Sequence, residues 1–403
     1  MKFWYKFLFL SVVVLAFTGC GKDDDEENED VTNPDVPYYS QDMKTDDGKV
    51  SQLLKHKVGK GVPIVILGEG YVDKDIKGGV FREATSKAVD ALFSVYPMSA
   101  LKDYFDVYEV TAVSYNDYVT VWYNLAETGI YTSNTAFGVD VAKEQQPGVW
   151  GSYLYRGDEK KVLEYAKKAI AGNRINDATI IVLVNDVFTG ALSYSLDGYD
   201  ASPRDIPTGG AIAYVTTMNI THTCTFPDDT DFSETFKATL ACEFGHSFAK
   251  LSYENYGEGN ERIPSYEISL LRDSQSYGFY SNVSLSSDVT KSPWADFAAD
   301  SRYDFEELGC YEGSGYYSKG VYRPTYESAM CGWGNCFNAA QRSMIYKRCM
   351  NIANGDSWKY DYEKFVEFDL EGAKVWKAAH PTPVYSKAKA LFARKTKTVK
   401  VSR

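Results

Sequence analysis

Short apolar runs alternate with segments of helical periodicity in the first half of the chain. Residues 62–67 form a near-continuous apolar run that ends at Gly68, which predicts a buried strand. Residues 81–101 then carry apolar side chains at helical spacing, and residues 105–113 follow a mostly alternating, strand-like pattern. The order of these segments predicts a β-α-β unit.

A similar order recurs further along the chain. A helix is predicted near residues 158–172, and a strand at 178–184 whose continuous apolar character indicates a sheet covered on both faces. Residues 211–216 are a further strand candidate. Residues 185–210 are rich in Gly, Ser, Asp and Pro, and form either a loop at the rim of a substrate site or an ordinary surface loop.

A long helix is predicted from Asp231 onward. Large apolar side chains recur along it every four residues and form one ridge, at Phe236, Leu240, Phe244 and Phe248. Cys242 and His246 are also four residues apart, and their offset of two positions rotates them about 200° from the ridge. Both side chains are therefore expected to point the same way, away from the ridge.

The N-terminal segment has the pattern of an export signal. Positive charges precede an apolar run at residues 7–17 that is too short to span a bilayer. The run ends in Leu-Ala-Phe-Thr-Gly-Cys, which resembles the lipobox of bacterial lipoproteins. We therefore expect residues 1–19 to be a signal peptide and Cys20 to be lipidated. The alternative is an ordinary cleavage site followed by a chance cysteine.

An acidic segment follows Cys20. Residues 21–30 carry a block of like charges that repels itself and buries nothing, so residues 20–48 are interpreted as the lipidated cysteine and a solvated linker. An acidic run directly after the lipidated cysteine resembles the surface-export signal of Bacteroidota lipoproteins. That resemblance implies a lipid-anchored protein of the outer membrane that faces the cell exterior.

Composition constrains the partners and the thiols. The formal net charge of −12 argues against a nucleic-acid partner, although residues 386–403 form a basic tail. Removing Cys20 from the 7 cysteines leaves an even number in a compartment where disulfides persist. Only Cys331 and Cys336 are close enough in sequence to suggest a local pair.

Residues 242–246 form a variant of the zinc-binding motif H-E-x-x-H. In the parent motif two histidines one helical turn apart bind Zn²⁺, and the glutamate acts as general base on the metal-bound water. Here Cys242 stands in place of the first histidine, whereas Glu243 and His246 keep their places. A thiolate is a good zinc ligand, but it donates more charge to the metal and raises the pKa of bound water. The change is compatible with metal binding and unfavourable for hydrolysis.

Separate segments match, in one order, the motifs of a known enzyme family. They are residues 57–71, 243–249, 282–284, 293–294, 311–317 and 321–325. Together they resemble the IgA-peptidase family of zinc metalloendopeptidases, which hydrolyse peptide bonds. The resemblance implies a zincin-like (metzincin-like) α/β metallopeptidase domain over residues 49–385, with a mixed β-sheet, a metal-site helix and a methionine turn.

The resemblance also implies roles for single residues. The family reads H-E-x-G-H-S-F-x-x-L-x-D-E-Y at this helix, so Cys242 and His246 stand at zinc-ligand positions and Glu243 at that of the catalytic base. Aligned without a gap, Tyr253 replaces the Asp and Glu254 keeps the Glu. With one inserted residue, the segment that begins at Glu254 takes the place of D-E-Y. Glu254 is the candidate third ligand in either register.

Two further features bear on the metal site. Met330 and the residues before it resemble the methionine turn that forms an apolar floor beneath the metal, although a simply buried methionine is the alternative. The chain has 4 histidines, so a three-histidine site would require His222 from the loop before the helix. His56 and His380 are interpreted as structural or exposed.

Three functions are consistent with these patterns. The first is an active endopeptidase with zinc at Cys242, His246 and Glu254 and with Glu243 as base, acting on extracellular proteins or glycoproteins. The second is a pseudopeptidase that binds a host protein or glycan without cutting it. Two changes in one motif favour the second function, whereas the retained Glu243 favours the first. A hydrolase with Cys242 as nucleophile is the third, but no orienting Asn or Asp is evident.

Overall fold

The structure, a computed structural model, describes residues 38–123, 130–146, 149–186, 190–195, 210–217, 232–257, 259–331 and 336–381. The strands are β1 (Val50–Leu54), β2 (Val62–Glu69), β3 (Phe105–Val110), β4 (Thr120–Tyr123), β5 (Ile130–Tyr131), β6 (Asp140–Gln146), β7 (Val149–Tyr155), β8 (Thr179–Val184), β9 (Ala191–Ser195), β10 (Ala211–Thr216), β11 (Tyr311–Ser314) and β12 (Tyr317–Arg323). The helices are α1 (Asp73–Lys77), α2 (Val80–Ser94), α3 (Met98–Leu101), α4 (Glu159–Ala169), α5 (Phe232–Ala249), α6 (Ser265–Ser276), α7 (Ala295–Ala299), α8 (Ala339–Asn354) and α9 (Tyr362–Ala379).

The main sheet is mixed and six-stranded, in the order β1-β3-β2-β8-β10-β9. Strands β3, β2, β8 and β10 are parallel, and the antiparallel strands β1 and β9 flank them. Every residue of β2, β8 and β10 is buried, as expected for strands covered on both faces. The predicted mixed α/β fold is therefore confirmed.

Alternate residues of β2 pack on opposite faces of this sheet. Ile64 and Ile66 join a core that includes α2, α5 and α8, whereas Val65 and Leu67 join a second core with α4 and the inner side of β6. Strand β6 belongs to a four-stranded sheet in the order β5-β4-β6-β7, which the hydrophobic pattern does not predict. The six-stranded sheet thus separates two cores, and α5 packs in the core that contains Ile64 and Ile66.

The predicted apolar ridge of α5 is confirmed. Phe244 and Phe248 stack with ring centroids 4.9 Å apart, and Phe248 lies 5.6 Å from Phe105 of β3. Phe236 and Leu240 are also buried in this core. Helix α5 is therefore fixed against the sheet along the described part of its length.

Two sequence expectations in this region are wrong. The helix predicted over residues 81–101 is divided into α2 and α3 around Pro97, since proline has no backbone N–H for the helical ladder. The loop predicted over residues 185–210 contains β9, which pairs antiparallel with β10. Its short Ala-Leu-Ser-Tyr-Ser sequence is too polar to be recognised as a strand without its partner.

The described end of the predicted linker packs against the domain. The Ser40 hydroxyl donates a hydrogen bond to the Ser114 carbonyl (2.6 Å), and the Tyr165 hydroxyl donates to Asp47 (2.8 Å). Residues 1–37 and 382–403 lie outside the described residues, so the predictions for Cys20 and for the basic tail fall there. Within the described part, no helix is long and apolar enough to cross a membrane.

The described cysteines are free thiols, so the suggested Cys331–Cys336 pair is wrong. The Cys331 sulfur lies instead 3.6 Å from the Ser328 hydroxyl and 3.7 Å from the Glu254 carbonyl oxygen. Cys224 lies outside the described residues. Cys331 is therefore part of a packed turn and does not close a loop.

A buried ion triad fixes the start of α8. The Arg342 guanidinium contacts the carboxylates of Glu306 and Asp369, and all three side chains are buried. The same guanidinium donates to the Phe337 carbonyl (2.7 Å), just before the helix begins. The triad positions the residues that precede α8, because one guanidinium is bonded both to the two carboxylates and to the Phe337 carbonyl.

Candidate functional site

Helix α5 brings Cys242 and His246 together. The Cys242 sulfur and the His246 Nε2 atom lie 3.7 Å apart, as their spacing of one helical turn predicts. A tetrahedral zinc ion with Zn–S of about 2.3 Å and Zn–N of about 2.1 Å would hold two such atoms roughly 3.6 Å apart. The pair therefore fits a shared metal ion, and the same distance also suits a weak S–H···N hydrogen bond.

The end of α5 orients the His246 ring. Lys250 adopts a left-handed conformation (φ 54°), and the Leu251 N–H donates back to the Gly245 carbonyl (3.1 Å). This reversal places the Leu251 carbonyl 2.7 Å from His246 Nδ1. Because a carbonyl only accepts, Nδ1 carries the hydrogen and Nε2 presents its lone pair to Cys242.

Glu243 completes a group of three possible metal-binding residues with Cys242 and His246. One ligand atom from each lies within 4.8 Å of the other two, and the group could hold a metal ion. Both Glu243 carboxylate oxygens already accept hydrogen bonds, from the Ser193 hydroxyl of β9 (2.6 Å) and from the Tyr253 hydroxyl (3.0 Å). The carboxylate is therefore held between the edge strand and the segment that follows α5.

Burial shifts the pKa of each of these groups. Desolvation raises the pKa of Glu243 to about 7, although the bonds from Ser193 and Tyr253 act in the opposite direction. Desolvation lowers the pKa of His246 to about 4, and desolvation together with the Glu243 charge raises the pKa of the Cys242 thiol. The imidazole is therefore neutral, which is its ligating form, while a metal would have to displace the thiol proton.

Glu254, the expected third ligand, is not a member of this group. Its buried carboxylate accepts hydrogen bonds from Ser328 Oγ (2.6 Å), Asn282 Nδ2 (3.0 Å) and Asn338 Nδ2 (3.4 Å). Its backbone N–H also donates to the Met330 carbonyl (2.8 Å). Glu254 thus ties three separate segments together, and its oxygens are used for that purpose.

Met330 lies against α5 within a 3₁₀ turn, Ala329–Cys331. The side chain is fully buried, and an ideal Cβ added to Gly245 would lie only 2.9 Å from its sulfur. Gly245 precedes His246 directly, so Met330 packs against the motif helix next to His246. A side chain at position 245 would require the Met330 side chain or the backbone to shift.

Sequence reasoning missed two site residues. Ser193 falls in the segment interpreted as a loop, and Tyr253 was noted only as a departure from the family motif. The Tyr253 ring packs against the His246 ring with centroids 3.8 Å apart, and its centroid is 5.5 Å from that of Tyr316 at the β11–β12 turn. Because Tyr253 follows the end of α5 by only four residues, the sequence alone could have placed it near His246.

The other histidines have separate contacts. His56 Nδ1 lies 2.8 Å from Asp106, and His380 stacks on Trp376 with ring centroids 4.1 Å apart. These contacts agree with the structural roles expected for both residues. His222, the remaining candidate ligand, lies outside the described residues.

A scan against protein-family models and a search of curated proteins find no match to this chain. Function is therefore inferred from the motif resemblance and from the geometry around Cys242, Glu243 and His246.

Replacing Gly245 by Ala should destabilise the protein, even though alanine is the better helix former by about 1 kcal/mol. The added Cβ would lie 2.9 Å from the Met330 sulfur and 3.0 Å from Leu251 Cδ1, and overpacking a core typically costs about 1–3 kcal/mol. In a Met330→Ala background the loss should shrink or become a gain. Urea unfolding of the four proteins measures this coupling, and equal effects in both backgrounds would contradict the contact.

Proposed function

We propose that the chain is a lipid-anchored, outward-facing protein of the bacterial outer membrane with the zincin-like fold of the IgA-peptidase family. It binds an extracellular protein or glycoprotein at a zinc site that has lost most or all of its peptidase activity. The observation that carries this proposal is that both carboxylate oxygens of Glu243 are occupied by protein hydroxyls, beside a ligand pair in which cysteine replaces histidine.

The fold around α5 supports the family assignment. The motif helix packs on β9 and β10 of a mixed sheet, and the antiparallel strand β9 forms the edge of that sheet. Met330 packs against the helix at Gly245, which supports the resemblance of its turn to a methionine turn. These features are those that the ordered motifs imply for a zincin-like domain.

The donors present fit zinc. Cys242 and His246 would hold the ion, since thiolate sulfur and imidazole nitrogen are its usual protein ligands and their separation suits tetrahedral coordination. When bound, zinc polarises a peptide carbonyl and makes water more acidic. The thiolate of Cys242 adds negative charge at this point, which weakens both effects relative to an imidazole.

Glu243 is poorly placed to act as a base. A general base must accept a proton from water, but here Ser193 and Tyr253 already donate to its two oxygens. Each oxygen keeps a second lone pair, but Glu243 is buried, so water would have to enter a space that the two hydroxyls already flank. The cysteine substitution and the occupied carboxylate therefore act in the same direction, towards weak or absent hydrolysis.

Strand β9 provides a route for a polypeptide partner. It is the last strand of the main sheet, and its residue Ser193 touches Glu243. An extended peptide that pairs with such a strand through backbone hydrogen bonds would pass beside the site. Retention of Glu243 keeps an active endopeptidase as the second candidate.

A cysteine hydrolase fits the geometry less well. In such enzymes the histidine that activates the thiol is oriented by an Asn or Asp side chain. His246 Nδ1 is instead bonded to the backbone carbonyl of Leu251. Burial also disfavours both the Cys242 thiolate and the His246 imidazolium.

The native protein, purified with a reducing agent, should contain zinc and cleave denatured protein substrates weakly or not at all. Cys242→His should raise zinc occupancy, because a neutral imidazole binds without first losing a proton, whereas burial raises the pKa of the Cys242 thiol. It should raise cleavage as well, because it adds no negative charge that weakens the polarising effect of zinc. Adding Glu243→Gln to that variant should abolish cleavage and keep the zinc. Metal analysis and a fluorescent-casein assay measure the two properties.

Omitting the reducing agent is the control for the thiolate, since oxidation of Cys242 should lower the zinc content of the native protein and leave that of Cys242→His unchanged. Robust cleavage by the native protein, together with no effect of Cys242→His, would refute the degraded-site proposal.

The lipid anchor is tested separately. Cys20→Ala should release the protein from the membrane fraction, because the diacylated cysteine is the proposed attachment point. Fractionation and labelled fatty-acid incorporation measure the change. If the variant stays with membranes as before, and the wild type takes up no label, the anchor is wrong.

A further inference from the structure

Tyr253 lies beside the group formed by Cys242, Glu243 and His246. Its hydroxyl is 3.0 Å from Glu243 Oε1, an atom of the carboxylate that groups with Cys242 and His246. Its ring lies on the His246 ring, with centroids 3.8 Å apart. The Tyr253 side chain is buried, so its oxygen lies beside this group within the protein and not in solvent.

The Glu254 carboxylate is held away from this group by its own hydrogen bonds. Its carboxylate is engaged by Ser328, Asn282 and Asn338, and its N–H by the Met330 carbonyl. Turning it towards Cys242 would leave several buried donors without partners, which costs about 1–3 kcal/mol for each. Glu243, the third member of the group, already accepts a hydrogen bond at each carboxylate oxygen. Without it, Cys242 and His246 alone would leave the ion short of the three protein donors that catalytic zinc sites have or the four of structural sites.

We infer that Tyr253 supplies the third protein ligand of this site, through its phenolate oxygen, in place of Glu254. The inference rests on the proposed zinc site. Thiolate and phenolate together balance the two positive charges of zinc, which favours the ion in a buried position. The hydroxyl would pass its proton to Glu243 Oε1, to which it already donates a hydrogen bond. The retained glutamate would then have a role that does not require hydrolysis.

The backbone holds Tyr253 in place independently of its hydroxyl. The Tyr253 carbonyl accepts hydrogen bonds from Ser314 Oγ (2.7 Å) and the Gly315 N–H (3.1 Å). Next to it, the Ser252 N–H and carbonyl both bond to the Asn282 side chain (2.8 Å each). Tyr253→Phe therefore removes the oxygen while the segment keeps its conformation.

Tyr316 provides a matched control. It is the same residue type, and its ring centroid lies 5.5 Å from that of Tyr253. Its hydroxyl bonds to Asn255, so Tyr316→Phe removes a neighbouring tyrosine hydroxyl that has a different partner. A general effect of losing a tyrosine hydroxyl near the site would appear in both variants, whereas loss of a ligand would appear in one.

The test is a titration of the full chain with Zn²⁺ under reducing conditions, at one pH, against a chromophoric chelator. Wild type and Tyr316→Phe should bind zinc equally and develop the ultraviolet difference spectrum of a tyrosinate. Tyr253→Phe should lose that spectrum. Its affinity should fall by more than the roughly 10- to 100-fold that loss of an outer-shell partner costs.

Each other result overturns the inference in a recognisable way. If wild type binds zinc but Tyr253→Phe binds it as tightly, Tyr253 is not a ligand and the proposed zinc-binding function stands. Weaker binding by Tyr253→Phe without a tyrosinate spectrum in wild type would assign Tyr253 a hydrogen-bonding role only. If wild type binds no zinc, both the ligand and the proposed metal site are wrong.

Discussion

The close approach of Met330 to Gly245 is the constraint on which the site depends. Because Gly245 has no side chain, the turn that carries Met330 can pack directly on α5. The Met330 carbonyl then accepts from the Glu254 N–H, which fixes the chain just after the helix. This places Leu251 to orient His246 and places Tyr253 on the His246 ring. A packing contact between apolar groups thus determines the geometry of the polar ones.

The same constraint explains why Glu254 is not with the motif residues. Once its backbone is bonded to the turn that carries Met330, its carboxylate lies among the donors of Ser328, Asn282 and Asn338. A buried carboxylate with several donors is strongly held, since each lost bond would leave a polar group unsatisfied. A further protein ligand beside Cys242 and His246 would therefore have to come from another residue, and Tyr253 packs against His246.

Sequence patterns predicted the elements that have a periodic hydrophobic pattern. They missed the features that depend on contacts with distant segments of the chain. The buried strands β2, β8 and β10 and the ridge of α5 follow from apolar periodicity, and the Cys242–His246 pairing follows from helix geometry. The hydrogen bonds of Glu254 were not predicted, because their donors come from distant segments. Ser193 was missed because an edge strand of mixed composition gains its identity only from the neighbour with which it pairs.

The central claim is that this chain keeps a zinc site built from Cys242 and His246 without Glu254. The most direct measurement is anomalous diffraction at the zinc edge from crystals of the reduced protein grown with zinc. The account predicts one strong peak within bonding distance of the Cys242 sulfur and His246 Nε2, with the Glu254 carboxylate still bonded to Ser328 and Asn282. No peak there, or a peak bound by Glu254, would contradict it.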